Sequence, residues 1–116
     1  MWASPLYLKN KVMLVKLFDD KLEEFIKELG KPTIAKVLRT IDLLEKFGHQ
    51  LEMPHSKKID NRLFELRVRG RLEVRIIYTF HKDTIVLLHG FIKKSQQIPG
   101  KELRAGRQKL LALDML

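Results

Sequence analysis

The 116-residue chain has no cysteine, which removes disulfides and thiolate metal sites and suits a reducing compartment, so a cytoplasmic protein is expected. Its four histidines, His49, His55, His81 and His89, stand without metal-ligand spacing, and no metal site or other cofactor is expected. It lacks a glycine-rich phosphate loop and any Ser/His/Asp-type arrangement; Gly90 alone makes no motif. Long apolar runs are missing too. The opening MWASPLYLKNKVMLVKLF is interrupted by Pro5, Lys9, Asn10 and Lys11, so neither a leader nor a membrane span is expected. No internal repeat, low-complexity tract or linker interrupts the chain. Acid is scarce as well: 14 Asp and Glu face 23 Lys and Arg.

What is present describes a soluble globular protein, 45% hydrophobic and 32% charged. The length fits one domain over residues 1–116, with residues 1–12 a short strand or a loose arm. The net charge of +9 is unevenly placed. Residues 1–54 hold 9 basic and 8 acidic side chains, whereas residues 55–116 hold 14 and 6. Such a field attracts polyanions, whether nucleic acid, anionic lipid or an acidic protein, although a merely basic surface has the same composition.

Apolar periodicity predicts an α+β fold. Met13–Phe18 reads as a first strand or as the start of the next helix. Asp19, Asp20 and Glu23 make a capping-box-like helix start, followed by the stripe Leu22, Phe25, Ile26 and Leu29. Gly30 closes that helix and Pro32 opens a second, whose stripe is Ile34, Val37, Leu38, Ile41, Leu44 and Phe47 before Gly48. Residues 49–62 read as a loop, with Pro54, Ser56, Asp60 and Asn61 as turn formers. Three strand-like runs then occupy residues 63–92. Centring the first hairpin on Gly70 opposes Val68 to Leu72, Leu66 to Val74, Phe64 to Ile76, Arg67 to Glu73 and Glu65 to Arg75. The run Ile85–Ile92 is apolar on both faces, as in a strand covered on both sides. A four-residue turn before it puts His89 on the core side, and a three-residue turn puts it on the face of Arg75. Pro99-Gly100 precedes a final helix with Leu103, Gly106, Leu110 and Leu113 at helical spacing.

The chemistry left to such a chain rests on cations: Lys57, Lys58, Arg67, Arg75, Lys93 and Lys94. Metal-free RNA cleavage is one reaction they could support. The ribose 2′-OH is the nucleophile, and the protein must align the groups, stabilise the phosphorane and move two protons. Arginine grips phosphate bidentately. Histidine as a residue type suits acid–base work near neutral pH, which makes His89 or His81 a candidate, and a lysine could serve if neighbouring cations depressed its pKa. Inert phosphate binding fits the same residues, and the arginines could equally be cross-strand staples.

The blocks SKK and LFELR, EVRIIYTF, VLLHGFIKKSQQIP and the earlier IDLLEKFG together resemble the HigB-type, phage-derived branch of the RelE/ParE toxin superfamily, over about residues 13–113. The resemblance implies a RelE-like compact domain, with two N-terminal helices on a mainly antiparallel sheet of about four strands and a C-terminal helix. It also implies the toxin of a type II toxin–antitoxin module, typically a ribosome-dependent mRNA endoribonuclease that inhibits translation. The implied partners are messenger RNA and a cognate antitoxin, often of the helix-turn-helix type. By position, the family's site residues correspond to Arg67, Arg75, Lys93 and Lys94. At two places this chain departs from RelE itself: Glu65 stands where RelE has a catalytic lysine, and no tyrosine lies near Pro99–Leu103. The site expected is therefore Arg75, Arg67, Glu65, His89 and Lys94 for catalysis, and Lys57, Lys58, Lys93 and Lys94 for RNA. A glutamate base with a histidine or lysine acid is one assignment, and a plain Glu65–Arg75 salt bridge is another. A ParE-like gyrase inhibitor and a non-toxic nucleic-acid-binding module remain as alternative functions.

Overall fold

The computed structural model describes residues 12–116; the expected N-terminal arm, Val12 apart, lies outside them. Among the described residues the chain forms five strands and three α-helices, an α+β domain compatible with the RelE-like expectation. The strands are β1 (Leu14–Leu17), β2 (Ser56–Asp60), β3 (Leu63–Val68), β4 (Val74–His81) and β5 (Thr84–Ile92). The helices are α1 (Asp20–Lys27), α2 (Lys31–Phe47) and α3 (Gly100–Asp114). One sheet runs in the order β1-β5-β4-β3-β2, antiparallel except where β1 lies parallel to β5. None of these helices is long and apolar enough to cross a membrane.

The helices start and stop for local reasons. Asp19, rather than Asp20, caps α1, its carboxylate accepting the Leu22 N–H at 3.0 Å. Glu28 ends α1, and Gly30, at φ +88°, caps α2 in a backbone conformation that a side chain would strain. Of the stripe expected on α2, Val37 and Leu44 are buried, but Leu38 and Phe47 are exposed and Thr40 is buried instead. Thr40 satisfies its hydroxyl by donating to the Lys36 carbonyl at 2.8 Å.

Three expectations about the sheet need correction. Residues 56–60 are not loop but the edge strand β2, paired to β3 with a register shift between Lys58 and Asp60. The expected four strands are thereby five. The β3–β4 hairpin is centred on Arg71, one residue beyond Gly70, so each β3 residue meets a partner two further along β4: Val68 opposes Val74, Leu66 opposes Ile76, Glu65 opposes Ile77, and Arg67 opposes Arg75. A shift of two keeps every side chain on its face, so the apolar alternation survives while the ion pairs change. The turn into β5 is a two-residue one, with Lys82 and Asp83 both at positive φ, and Thr84 donates to the His81 carbonyl at 2.6 Å. That start would place His89 on the core side, but a bulge at Leu88 moves it opposite Ile77, on the face of Arg75.

The sheet separates two apolar clusters. One face carries Leu66, Val68, Val74, Ile76, Tyr78, Ile85 and Leu87 against Leu22, Ile26, Val37 and Leu44 of α1 and α2. The other carries Leu63, Ile77, Val86, Leu88 and Phe91 against Leu110 and Leu113 of α3. The strand β5 is thus covered on both sides, as its sequence predicts. Gly106 lets α3 sit low on β4, since a Cβ there would meet Ile77 Cγ2 at 3.0 Å. Ion pairs hold α3 at its margins: Arg62–Asp114, Arg107–Asp60 and Lys109–Asp19.

Candidate nucleic-acid interface

On the α3 face the pairings line up two rows across the strands. One row runs Lys57, Glu65, Ile77, His89, and the next runs Arg67, Arg75, Phe91. The helix covers Ile77 and reaches His89, whose Nε2 lies 2.8 Å from Glu102 Oε1. At the end of the sheet Arg67 stays partly exposed, whereas Arg75 is buried. There a cleft of about 460 Å³ is walled by Arg67, Arg69, Glu73, Arg75 and the strand exit Lys93–Gln96. A second hollow of about 330 Å³ lies beside it, with Lys57, Lys58, Glu65 and Leu103 in its walls. Lys93 and Gln96 line both, so the two are lobes of one concave surface.

Two arginines directly opposite one another repel, and a carboxylate settles between them. Glu65 Oε1 lies 3.6 Å from Arg75 Nε and 3.7 Å from Arg67 Nε. Glu65 and Arg75 are both only 2% exposed. These separations bind by charge but are too long for hydrogen bonds. Arg75 spends its other nitrogens on the Val74 carbonyl at 3.0 Å and on Glu73 Oε1 at 3.1 Å. Glu73 also approaches Arg69 Nε at 3.4 Å and accepts the Gly70 N–H at 3.4 Å. Burial raises the Glu73 pKa, but the Arg75 and Gly70 hydrogen bonds and the nearby guanidinium charges outweigh it and hold the carboxyl below its ordinary value. Left over, buried and without a hydrogen-bond partner among the described residues, are Glu65 Oε2, Arg67 Nε and Arg75 Nε. Buried orphans of this kind cost about 1–3 kcal/mol each, more when charged, and three in one place call for an explanation beyond packing.

Most of the residues singled out from the sequence converge here. Arg67, Arg75, Lys93 and Lys94 line one lobe; Glu65, Lys57, Lys58 and Lys93 line the other. The Glu65–Arg75 contact is present across the diagonal, not directly across the ladder, and the expected Arg67–Glu73 pair is replaced by Arg75–Glu73 and Arg69–Glu73. The ion pairs among the described residues engage neither Lys57, Lys58, Lys93 nor Lys94. His89 shares the face but stands apart from both lobes, engaged by Glu102. His81 lies at the far end of β4, with Nδ1 3.9 Å from Asp114. Sequence reasoning missed three participants. Arg69 was legible as the next step of the alternation that places Arg67, whereas nothing local points to Gln96, or to Glu102 as the partner of His89. No group of three or more His, Cys, Asp or Glu side chains with metal-site geometry occurs among the described residues.

The model of one family, described as phage derived protein Gp49-like (DUF891), matches residues 24–110, a span that begins in α1 and ends near the close of α3, with both lobes inside it. No curated protein matches the chain. The chain therefore belongs to the phage-derived Gp49-like family, which is associated with toxin–antitoxin toxins of the RelE and HigB type.

Proposed function

We propose that the protein is the toxin of a two-component module and that it cuts messenger RNA on the ribosome by a metal-independent transesterification. The observation that carries this reading is the buried Glu65 carboxylate set between Arg67 and Arg75, with an unpartnered oxygen, in the wall of the lobe that holds Lys57, Lys58 and Lys93. Five cationic side chains face the single carboxylate of Glu73 in the first lobe, a field that concentrates a polyanion.

In this mechanism the scissile phosphate lies where the lobes meet. Glu65 takes the proton of the 2′-OH, and the 2′-oxygen attacks phosphorus. Arg75 and Arg67 hold the charge that grows on the phosphorane oxygens, with their donors already in place. As the bond from phosphorus to the 5′-oxygen breaks, Lys94 supplies its proton, leaving a 2′,3′-cyclic phosphate and a free 5′-OH. His89, held by Glu102, is the alternative donor. Lys57, Lys58 and Lys93 grip flanking phosphates, a contribution that weakens with salt. A cognate antitoxin, of the helix-turn-helix type in this reading, silences the protein by covering the cationic surface.

Induced expression tests the reading. It should arrest growth and leave messages cut within codons, bearing cyclic-phosphate ends. Intact messages accompanied by DNA breaks would replace the reading with gyrase inhibition. The adjacent reading frame should encode a protein that restores growth and binds this one.

A further inference from the structure

A third concavity, of about 640 Å³, lies outside the cleft, between α2 and the end of β3. Leu43, Pro54 and Val68 give it an apolar floor, and Lys36, Arg39 and Lys46 stand around it. None of these three cations has a carboxylate within ion-pair distance among the described residues. Two features join this groove to the cleft. Arg67 and Arg69 line both. Lys36 also reaches from α2 over the β3–β4 loop, its ammonium so close to Gly70 that a Cβ there would lie 2.5 Å from Nζ. Arg67 leans toward the groove as well, with Nη1 donating to Met53 Sδ at 3.1 Å, a weak acceptor that leaves the guanidinium ready for a better one.

Resting on the functional reading above, we infer that this groove is a subsite for a nucleotide flanking the scissile phosphate, entered by the RNA strand across Arg67 and Arg69. The size lies within the roughly 300–1,000 Å³ of small-ligand pockets. An apolar floor beside arginine planes suits the face of an unstacked base, and lysines at the rim suit the phosphates on either side of it. Asp42, the groove's single carboxylate, disfavours a phosphate deep inside and instead accepts from an exocyclic amino group, as carboxylates do with cytosine. The subsite therefore contributes to which sequences are cut, whereas the Glu65–Arg75 pair performs the cutting.

The exposed pair Arg39→Glu/Lys46→Glu tests this, with Arg39→Gln/Lys46→Gln as the milder version. The probe is a short fluorescent single-stranded RNA, fully 2′-O-methylated so that it cannot be cut. The reversal should weaken Kd by about ten-fold or more and lower the slope of log Kd against log salt by about 0.7 for each phosphate that is no longer gripped. The glutamine pair should fall between, and thermal melts should stay unchanged. On ribosomes the reversed protein should still cut, with a redistributed set of sites. An unchanged Kd, salt slope and cut pattern would overturn the subsite while leaving the nuclease reading intact. A wild-type protein that cuts nothing, yet binds the probe in a way that needs Arg39 and Lys46, would sink the nuclease reading and keep the subsite. Loss of binding to an acidic protein, with RNA binding untouched, would assign the groove to that partner and also overturn the proposal.

Discussion

The two faces of the sheet are built from the same strands and obey opposite rules. On the α1–α2 face, the side chains Leu66, Val68, Val74, Ile76 and Tyr78 are buried in a continuous apolar cluster. The polar atoms there serve one another: Ser56 Oγ and Tyr78 Oη are 2.6 Å apart. On the α3 face, Ile77 and Leu63 are as deeply buried, but their neighbours are Glu65, Arg75 and Thr79. All four buried unpartnered side-chain atoms found among the described residues (Glu65 Oε2, Arg67 Nε, Arg75 Nε and Thr79 Oγ1) lie on this face. Alternation along β3 and β4 lets one set of strands stabilise the fold on one side and hold a costly arrangement of charge on the other. A local violation of good packing with a well-packed layer directly behind it is the place to look for function.

Adjacent residues on β4 break this comparison most sharply. Ile76→Ala opens a cavity and should cost about 2–5 kcal/mol in urea unfolding, with residual folded protein still active. Arg75→Met should cost a similar amount, about 3–5 kcal/mol, because Glu65 then keeps only Arg67 beside its buried charge. It should also lower message cleavage by about 10²–10³-fold. Glu65→Leu added to Arg75→Met separates the two effects. It should restore stability to near wild type or above, since buried ion pairs are replaceable by apolar groups, and cleavage should stay lost. A double variant as unstable as the single one would mean that the charge pair is not what destabilises it.

Smaller changes probe how each face is sealed. Tyr78→Phe removes the hydroxyl that satisfies Ser56 and should cost about 1–3 kcal/mol. Burial raises the Tyr78 pKa, more than the Ser56 hydrogen bond lowers it. The folded state therefore keeps its proton to higher pH than the unfolded chain, so the stability this gives is complete below about pH 10 and is lost as pH rises through the folded pKa. The Phe variant should flatten that alkaline limb. On the other face, Gly106→Ala puts a methyl 3.0 Å from Ile77 Cγ2 and should cost about 1–3 kcal/mol by overpacking. Amide exchange should show the loss in α3 and leave α1 and α2 protected.

Much of this contrast could be read from the residues. Alternation in LFELRV and VRIIYTFH assigns each side chain to its face and gathers the arginines and glutamates of the candidate site on one of them. Period-two patterning cannot tell a register from one shifted by two, so the opposition of Arg67 and Arg75, which draws Glu65 between them, was beyond it. The edge strand β2 was hidden because Ser56, Asp60 and Asn61 carry turn signals and its lysines point to solvent, leaving no apolar alternation to detect. Nor does anything in TIVLLHGFI mark Leu88 as a bulge, yet that bulge alone decides the side of His89. Leu38 and Phe47 fall on the expected stripe of α2 but are exposed, because the helix turns its Val37–Thr40–Leu44 line to the sheet.

The smallest expected effect tests whether charge fastens the α3 side in a way the α1–α2 face does not need. Asp19 Oδ2 pairs with Lys109 of α3 at 3.0 Å while the same carboxylate caps α1. Burial raises its pKa, but the Lys109 hydrogen bond and charge and the Leu22 N–H together bring it below the ordinary value. The sign follows: stability from this group is present above the unfolded value of about 4 and is lost as pH falls through the folded one. Asp19→Asn keeps a capping oxygen and removes the charge, so it should cost about 0.2–1 kcal/mol near neutral pH, the range of exposed pairs. That cost should vanish in acid, once the wild-type carboxyl is itself protonated. A cost that is the same at both pH values would assign the role of Asp19 to the cap of α1 alone, and α3 would then be held by its apolar contacts and its other ion pairs.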